Sequence, residues 1–466
     1  MQRLSSFAQS AGRFYTQMVY CFPYDDKTPK TDSIQHLRAS LRRLQKQHPL
    51  LAGTLHTSPH EGIITILPGG GEIPLEVFIT GSTHFDRCYS RLASRGFPPG
   101  LFVHPSFGLD SKLNLEEGPI PACHVRATFI PDGLLIWLSI HNTVGDDHCL
   151  GFFAECFAAA TRRQPLPPGI PSSPNLTLPS DPEWSPATLV TIARECPEFD
   201  VLLLPGENPS VPAALPGGVP AGAIPKAGKI FVFSAYRLEQ LRNLVYFASG
   251  PRDERPPLEA CLSALCLAYV TKARLAAEVG FVPREDWHAA DLFMPVNWRD
   301  RVFKREAANY FGNAVITLPT QIPLADLHDA CADATSEALR KLVTKISTSM
   351  ATVNTEAVTK RNALFHRVGD CRRLVLQMDP RRPVELGFDT WKTMGADASW
   401  DIPGVLSHRP DAVRRVQGDW SIANALLLPA RSNSRVYELS LSLPKVSMEA
   451  LCQDKGWMAW VEKVLE

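Results

Sequence analysis

A proline-rich stretch near the middle of the chain is the feature that most limits how it can fold. Fifteen of its 40 prolines lie between residues 165 and 225. Proline lacks a backbone donor and fixes φ, so neither a long helix nor a central strand is expected there. We therefore predict an N-terminal domain over residues 1–164, a proline-rich crossover over 165–228 and a C-terminal domain over 229–466.

The charge balance limits the partners that the protein binds. The 466 residues include 48 Lys and Arg against 48 Asp and Glu, which gives a formal net charge of zero. Nucleic-acid affinity depends on clustered basic residues, so no nucleic-acid partner is expected. A hydrophobic content of 45% and a charged content of 21% are typical of a globular protein. The expected ligands are small molecules.

Cysteine usage and hydropathy indicate a compartment. The chain has 11 cysteines, an odd number, and no C-x-x-C pair, which favours reduced thiols over a disulfide framework. Neither a signal-peptide pattern at the N-terminus nor an apolar run of about 20 residues is present. We expect a cytoplasmic, monomeric protein without a membrane span.

Alternating patterns of helix and strand run through both halves. Leucine spacing predicts a helix over residues 33–47, and apolar runs predict strands over 62–67 and 73–80, joined as a hairpin through a glycine triplet. That triplet lacks the Lys of a phosphate-binding loop, so the hairpin is the preferred interpretation. Two further strands are predicted over 123–130 and 134–140. The fold class is therefore α/β.

His141 directly follows the last of these strands and precedes a predicted helix over residues 150–160. A neutral imidazole can accept a proton from a hydroxyl or an amine at neutral pH, so His141 is a candidate general base. The alternative is a structural histidine that is bonded to a backbone carbonyl. Position alone does not decide between the two.

The residues after His141 also allow a metal site to be considered. His141, Asp146, Asp147 and His148 are residue types that bind zinc. Ligands crowded into one loop rarely surround an ion, and carboxylates favour the N-terminus of a helix for electrostatic reasons. The preferred interpretation has no metal.

Short motifs along the whole chain extend the pattern around His141. In chain order they are residues 48–53 (HPLLAG), 141–146 (HNTVGD), 296–301 (VNWRDR), 310–315 (YFGNAV), 390–391 (TW), 401–404 (DIPG) and 409–414 (RPDAVR). In order and approximate spacing the chain resembles fungal members of the BAHD acyltransferases, the group that includes trichothecene acetyltransferases. The resemblance implies the fold of chloramphenicol acetyltransferase and condensation domains: two domains, each a mixed β-sheet flanked by helices, with a tunnel between them.

The resemblance also implies a reaction. His141 would stand in the tunnel, take the proton of the acceptor as it attacks acyl-CoA, and return it to the departing sulfur. Acyl-CoA would be a co-substrate, with no permanently bound cofactor, and the residues that bind it are not assigned. Condensation domains, which use carrier-bound donors, usually have a second histidine before the catalytic one, where this chain has Ile140.

Further site residues follow only from the resemblance. Thr390 and the indole of Trp391 are candidates to donate hydrogen bonds to the oxyanion, against the alternative that one caps a strand or helix and the other fills the core. Structural support of the site is expected from Asp146, Arg299, Asn313 and Asp401.

Two departures from the family pattern affect this interpretation. The family has Asp then Gly after H-x-x-x, whereas this chain has Gly145 then Asp146, which leaves Asp146, Asp147 or Asp300 as partners for Arg299. In residues 401–404 a proline replaces a glycine and an isoleucine replaces an aromatic residue. Three functions therefore stay open: CoA-dependent O- or N-acyl transfer in secondary metabolism, a CoA-independent cyclisation or condensation of a polyketide or peptide intermediate, and non-catalytic binding.

Overall fold

The computed structural model describes residues 1–58, 60–79, 88–110, 112–167, 178, 189–202, 219–248, 255–278, 286–302, 310–332, 336–392 and 394–466. Strands occur throughout these ranges, as the alternating apolar patterns predict. They are β1 (Gln2–Arg3), β2 (Tyr15–Pro23), β3 (Thr54–Thr57), β4 (Ile64–Leu67), β5 (Leu75–Ile79), β6 (Ile120–Pro121), β7 (Cys123–Ile130), β8 (Gly133–His141), β9 (Phe199–Val201), β10 (Lys226–Ser234), β11 (Ala289–Asn297), β12 (Val315–Pro323), β13 (Leu374–Leu376), β14 (Glu385–Thr390), β15 (Ala412–Arg415), β16 (Asn424–Leu427), β17 (Val436–Pro444) and β18 (Val461–Leu465).

Helices alternate with these strands in both halves of the chain. They are α1 (Ser6–Ser10), α2 (Lys30–Gln47), α3 (Tyr89–Ser94), α4 (Asp147–Thr161), α5 (Leu189–Arg194), α6 (Ala235–Ala248), α7 (Leu258–Ala277), α8 (Leu324–Ala332), α9 (Ser336–Ala351), α10 (Thr355–Val368), α11 (Lys445–Gln453) and α12 (Lys455–Met458). The predicted helices over residues 33–47 and 150–160 correspond to α2 and α4, each starting three residues earlier than expected.

Two sheets form the frame of the molecule. A five-stranded sheet has the order β15-β2-β8-β7-β5, and a seven-stranded sheet has the order β12-β11-β14-β16-β17-β10-β18. Both are mixed: β5 runs parallel to β7 in the first, and β14 runs parallel to β11 and β16 in the second. The predicted α/β class and its mixed sheets are confirmed.

The five-stranded sheet positions His141. Strands β7 and β8 pair antiparallel around the turn at residues 131–132, as predicted, and both are buried along their whole length. His141 is the last residue of β8 and pairs with Tyr15, the first residue of β2. Helix α4 packs against β8 and α2, which fixes the loop after His141 over the core.

The predicted hairpin between residues 62–67 and 73–80 is wrong. Strand β4 pairs with β1 and β3 in a small four-stranded sheet, whereas β5 joins the five-stranded sheet beside β7. The partly buried Leu75 and Val77 pack against the core beneath that sheet. Burial of these side chains decided the pairing, which the glycine turn alone does not specify.

Strand pairing, in addition to the crossover, joins the two halves of the chain. Strand β15 comes from the C-terminal half but pairs with β2, Ala412 opposite Cys21 and Arg415 opposite Met18. The boundaries at residues 164 and 228 stay predictions, because most of the crossover lies outside the described residues. Its described part holds the short α5 and β9, a 3-10 turn at Ala221–Ala223 and the start of β10 at Lys226, before the predicted boundary.

One helix among the described residues, α7 at Leu258–Ala277, is long and apolar enough to cross a membrane. Most of its apolar residues are buried against the seven-stranded sheet and its neighbouring helices.

Candidate active site

Contacts to the Nδ1 atom hold the imidazole ring of His141 in place. The side chain is 1% exposed, and its Nδ1 lies 2.8 Å from the hydroxyl oxygen of buried Thr143. The backbone nitrogen of Thr143 lies 3.4 Å from the same ring nitrogen. The Tyr15 ring stands edge-on to the imidazole, with ring centroids 5.0 Å apart. These contacts fix the ring plane through Nδ1, and Nε2 lies on the opposite side of the ring.

Burial determines the charge of His141. It lowers the pKa of the imidazole from 6.5 to about 3, and Arg13 adds to the shift. The ring is therefore neutral at neutral pH, the form in which a nitrogen lone pair can accept a proton.

Asp146 and Arg299 fix the loop that follows His141. Arg299 Nη1 donates to Asp146 Oδ2 at 2.7 Å and Nη2 donates to Oδ1 at 3.1 Å. Burial alone would raise the pKa of Asp146, but the charge and hydrogen bonds of Arg299 lower it below its ordinary value. Of the three partners considered for Arg299, the structure selects Asp146.

Asp146 also joins the loop to helix α4 and to the second half of the chain. Its Oδ1 accepts the N–H of Cys149 at 3.2 Å, which makes it the N-cap of α4. Its Oδ2 accepts the N–H of Ala314 at 3.0 Å. The Asp146 carboxylate thus accepts hydrogen bonds from the side chain of Arg299 and from the backbone of Cys149 and Ala314.

The inverted Gly145-Asp146 order has a steric cause. A Cβ at position 145 would lie 2.5 Å from Cβ of Cys149 and 3.0 Å from Cδ1 of Ile140. No side chain fits there without moving strand β8 or helix α4. The carboxylate that reaches Arg299 therefore comes from the next residue.

The turn at residues 310–315 is brought to the same place. Arg299 Nε donates to the carbonyl of Tyr310 at 3.0 Å, and Nη2 donates to that of Gly312. Buried Asn313 accepts the N–H of Val315 at 3.3 Å, which shapes the turn. Asp146, Arg299 and Asn313 thus converge as the resemblance implied, although their supporting role stays a prediction.

Trp391 does not have the predicted free donor. Its indole N–H donates to Asp389 Oδ2 at 3.2 Å, and the side chain is buried in the core. The other oxygen of Asp389 accepts the N–H of Thr390 at 2.7 Å. In this structure a carboxylate two residues earlier accepts the hydrogen bond of the Trp391 indole; the oxyanion roles of Thr390 and Trp391 stay predictions.

Asp401 is not part of the site. It is exposed, and its backbone N–H donates to the hydroxyl of Thr161 at 3.1 Å, at the C-terminal end of α4. The site lies at the N-terminal end of that 15-residue helix, about 22 Å away along its axis. The segment packs instead beside α2, where Ser33 donates to the carbonyl of Pro403 at 2.7 Å. The supporting role predicted for Asp401 stays a prediction, which this position does not favour.

A cavity of about 630 Å³ is lined by Asn142, the residue after His141, and by Tyr15, whose ring packs against the imidazole. It lies between the two large sheets, because residues from both line it. The residues that line it include Tyr15, Asn142, Asp146, Asp147, Asn313, Asp389, Trp391, Arg415 and Asn424. This is the space in which the predicted tunnel was expected, and it is large enough for a small-molecule ligand.

Sequence reasoning missed Thr143, Tyr15 and Asp389. Thr143 is separated from His141 by one residue and Asp389 adjoins the Thr390-Trp391 motif, so proximity was a usable signal for both. Tyr15 comes to His141 only through the register of β2 and β8. His141, Asp146, Asp147 and His148 form no metal site: within the described ranges, no three potential ligands are grouped to hold an ion.

Comparison with known proteins agrees with this geometry. Residues 14–158 match the family model of the trichothecene 3-O-acetyltransferase-like N-terminal domain. No curated protein sequence matches the chain.

Solved structures match over the full length. TRI101 of F. sporotrichioides, crystallised with coenzyme A and T-2, is 17% identical, with 100% of both chains covered and a TM-score of 0.72. TRI101 of F. graminearum, crystallised with coenzyme A and deoxynivalenol, is 15% identical, with a TM-score of 0.76 over 100% of this chain and 99% of the other. The chain has the trichothecene acetyltransferase fold. The resemblance inferred from the motifs is thereby confirmed.

The fold extends to vinorine synthase as well. That protein is 16% identical, with a TM-score of 0.60 over 99% of this chain and 93% of its own. At these identities the likeness concerns the fold, and the chemistry has to be argued from the site.

Proposed function

We propose that this protein is a CoA-dependent acyltransferase that uses His141 as its general base. The observation that carries the proposal is a neutral, buried imidazole held through Nδ1, whose neighbours Tyr15 and Asn142 line a cavity of 630 Å³. The acceptor is a hydroxyl or amine of a small secondary metabolite. Related TRI101 structures, which hold coenzyme A together with T-2 or deoxynivalenol, support this class of substrates.

The proposed mechanism assigns one task to each ring nitrogen. Nδ1–H donates to the hydroxyl of Thr143, which leaves the lone pair on Nε2. Nε2 takes the proton of the acceptor as its oxygen or nitrogen attacks the thioester carbonyl. When the tetrahedral intermediate collapses, the C–S bond breaks and Nε2–H returns the proton to the sulfur. The products are the acylated acceptor and free CoA thiol.

The Asp146–Arg299 pair supports this mechanism without taking part in it. Both side chains are buried, and their hydrogen bonds hold the start of α4 against the turn at residues 310–315. The loop between His141 and α4 is thereby fixed at both ends. A fixed base holds its nitrogen in the geometry that proton transfer requires.

The test is thiol release from acetyl-CoA in the presence of a panel of alcohols and amines. We expect release that depends on an acceptor and falls by about 10²–10⁴-fold in His141→Ala. His328→Ala, at an exposed histidine, is the matched control and should keep full activity.

Two results would contradict the proposal. Full activity in His141→Ala would exclude His141 as the base. Turnover of a polyketide or peptide intermediate without any CoA thioester would favour the cyclisation or condensation alternative instead. We further propose that the enzyme works as a cytoplasmic monomer, which size-exclusion chromatography and cell fractionation test.

A further inference from the structure

Arg415 is a cation in the wall of the cavity that the proposed mechanism does not use. It is the last residue of β15, opposite Met18, and the next residue, Val416, donates its N–H to the carbonyl of Gln17 at 3.2 Å. Pairing with β2 places Arg415 at the edge of the five-stranded sheet. The cavity that it lines also contacts Asn142, the neighbour of His141.

The guanidinium of Arg415 reaches across the cavity wall to the other sheet. Nη1 donates to Oδ1 of Asn424, the first residue of β16, at 2.6 Å. The guanidinium carbon lies 5.8 Å from the ring centroid of Trp391. These contacts hold the plane of the guanidinium and use one of its five N–H donors.

The buried arginines among the described residues have a carboxylate partner, whereas Arg415 is only partly buried. Such pairs are Arg274–Glu278, Arg299–Asp146, Arg361–Glu198, Arg381–Asp379 and Arg414–Glu438. Arg415 forms no ion pair with any described residue. Its nearest acidic neighbour, Asp389, has its oxygens hydrogen-bonded to Thr390 and Trp391.

No described carboxyl group that lines the cavity forms an ion pair with Arg415. Burial raises the pKa of Asp389 above its ordinary value. Burial, with the charges of Asp389 and Asp146, raises the pKa of Asp147 well above its own. An arginine stays charged in a protein, so Arg415 remains a cation in the cavity wall. A partly buried cation without an ion pair is costly, and an incoming anion would reduce that cost.

We propose that Arg415, with Asn424 and Trp391 beside it, is a subsite that binds a carboxylate of the substrate. The planar guanidinium suits a carboxylate because two parallel N–H groups can bind its two oxygens. The carboxylate belongs either to the acyl group of a dicarboxylic acyl-CoA or to the acceptor. This inference rests on the proposed function for taking the cavity as the substrate site.

The experiment compares matched probes by isothermal titration calorimetry, so it requires no turnover. The donor arm pairs succinyl-CoA with butyryl-CoA, in which a methyl group replaces the carboxylate. The acceptor arm pairs 3-hydroxybenzoate with its methyl ester. We expect the carboxylate to bind about 10- to 100-fold more tightly in one arm, which identifies its source.

The variants test whether Arg415 is responsible. Arg415→Gln should abolish the preference, and Arg415→Lys should retain part of it, because lysine keeps the charge without the fork. Arg409→Gln, in an exposed arginine of the same segment, is the control and should keep the preference. If thermal melting shows that Arg415→Gln does not fold, Arg415→Lys and the wild-type comparison still decide.

Two outcomes would overturn the subsite: no carboxylate preference in either wild-type arm, or an unchanged preference in Arg415→Gln or, where that variant does not fold, in Arg415→Lys. Failure of the proposed function looks different. Thiol release would then be unaffected in His141→Ala while the binding preference and its dependence on Arg415 persisted.

Discussion

Asp146 and Arg299, 153 residues apart in the chain, form a bidentate ion pair. The pair joins the two halves of the molecule at the end of the loop that follows His141. Asp146 caps helix α4, and Arg299 follows strand β11. The resemblance to the BAHD pattern implies such a pair with a carboxylate one position earlier. In this chain the next residue, Asp146, forms it.

Removal of the Asp146 charge should destabilise the protein strongly. In Asp146→Asn, Arg299 keeps its charge in a buried site without a carboxylate, and breaking such a pair costs about 3–5 kcal/mol. The free energy of unfolding measured in urea should fall by that amount.

Asp147→Asn is the matched control for this prediction. Asp147 adjoins Asp146, but burial and neighbouring acids raise its pKa, so loss of its charge should leave stability unchanged or improve it. If the free energy of unfolding fell equally in the two variants, the Asp146–Arg299 pair would contribute no more to stability than Asp147 does.

Restoring the residue order of the family should not restore a better enzyme. In the double variant Gly145→Asp, Asp146→Gly, the new Cβ would meet Cys149 at 2.5 Å and the cap of α4 would be lost. We expect a melting temperature well below that of wild type, with lower activity. Overpacking in a core typically costs about 1–3 kcal/mol in addition to the lost cap and ion pair.

Alanine substitutions separate the steric part of this effect. Gly145→Ala should destabilise the protein, whereas Gly118→Ala, where a Cβ meets nothing within 4 Å, should not. A stable Gly145→Ala would mean that helix α4 shifts easily, and the steric reason for the inversion would fail.

Some parts of this site were predictable from local sequence. The apolar run that ends at His141 predicts a buried strand, and the acids after it predict a helix start, so the position of His141 followed from neighbouring residues. The family motifs added Arg299 and Asn313, which do lie behind it.

Other parts depended on contacts distant in sequence. The partner of Arg299 could not be chosen among Asp146, Asp147 and Asp300, because steric limits at Gly145 come from Cys149 and Ile140 in the folded chain. Strand β5, which carries Leu75 and Val77, pairs in parallel with β7, and the rules for turns do not predict a parallel pairing. The contact of Asp401 with Thr161, at the C-terminal end of α4, could not be predicted, because motif order along the chain does not give the distance from His141.

Thr143 should determine which ring nitrogen of His141 carries the proton. In Thr143→Val the hydroxyl at 2.8 Å is lost, and the backbone N–H of residue 143, which only donates, becomes the partner of Nδ1. That contact favours the tautomer with the proton on Nε2, which cannot act as a base. We expect kcat to fall by about 100-fold with little change in KM, within the usual contribution of a general base.

Two measurements separate tautomer control from a general loss of structure. The ¹⁵N chemical shifts of the His141 ring should exchange between the nitrogens in Thr143→Val. Thr143→Ser, which keeps the hydroxyl, should recover most of the activity. A Thr143→Val enzyme with wild-type kcat would exclude this role of the hydroxyl.

The buried, neutral state of His141 should make the stability of the protein depend on pH. Its pKa is about 3 in the folded protein and near 6.5 in the unfolded chain, so the unfolded state binds a proton first as the pH falls. The stabilising contribution is therefore complete above pH 6.5 and is lost progressively towards pH 3, by at most about 1.4 kcal/mol per pH unit. In His141→Gln this part of the slope should be absent, and urea unfolding of both proteins between pH 7 and pH 4 measures the difference. His328→Gln, at an exposed histidine, should follow the wild-type curve. Parallel curves for wild type and His141→Gln would mean that folding does not lower the pKa of His141, and the buried, neutral ring on which the proposed acyl transfer depends would lose its support.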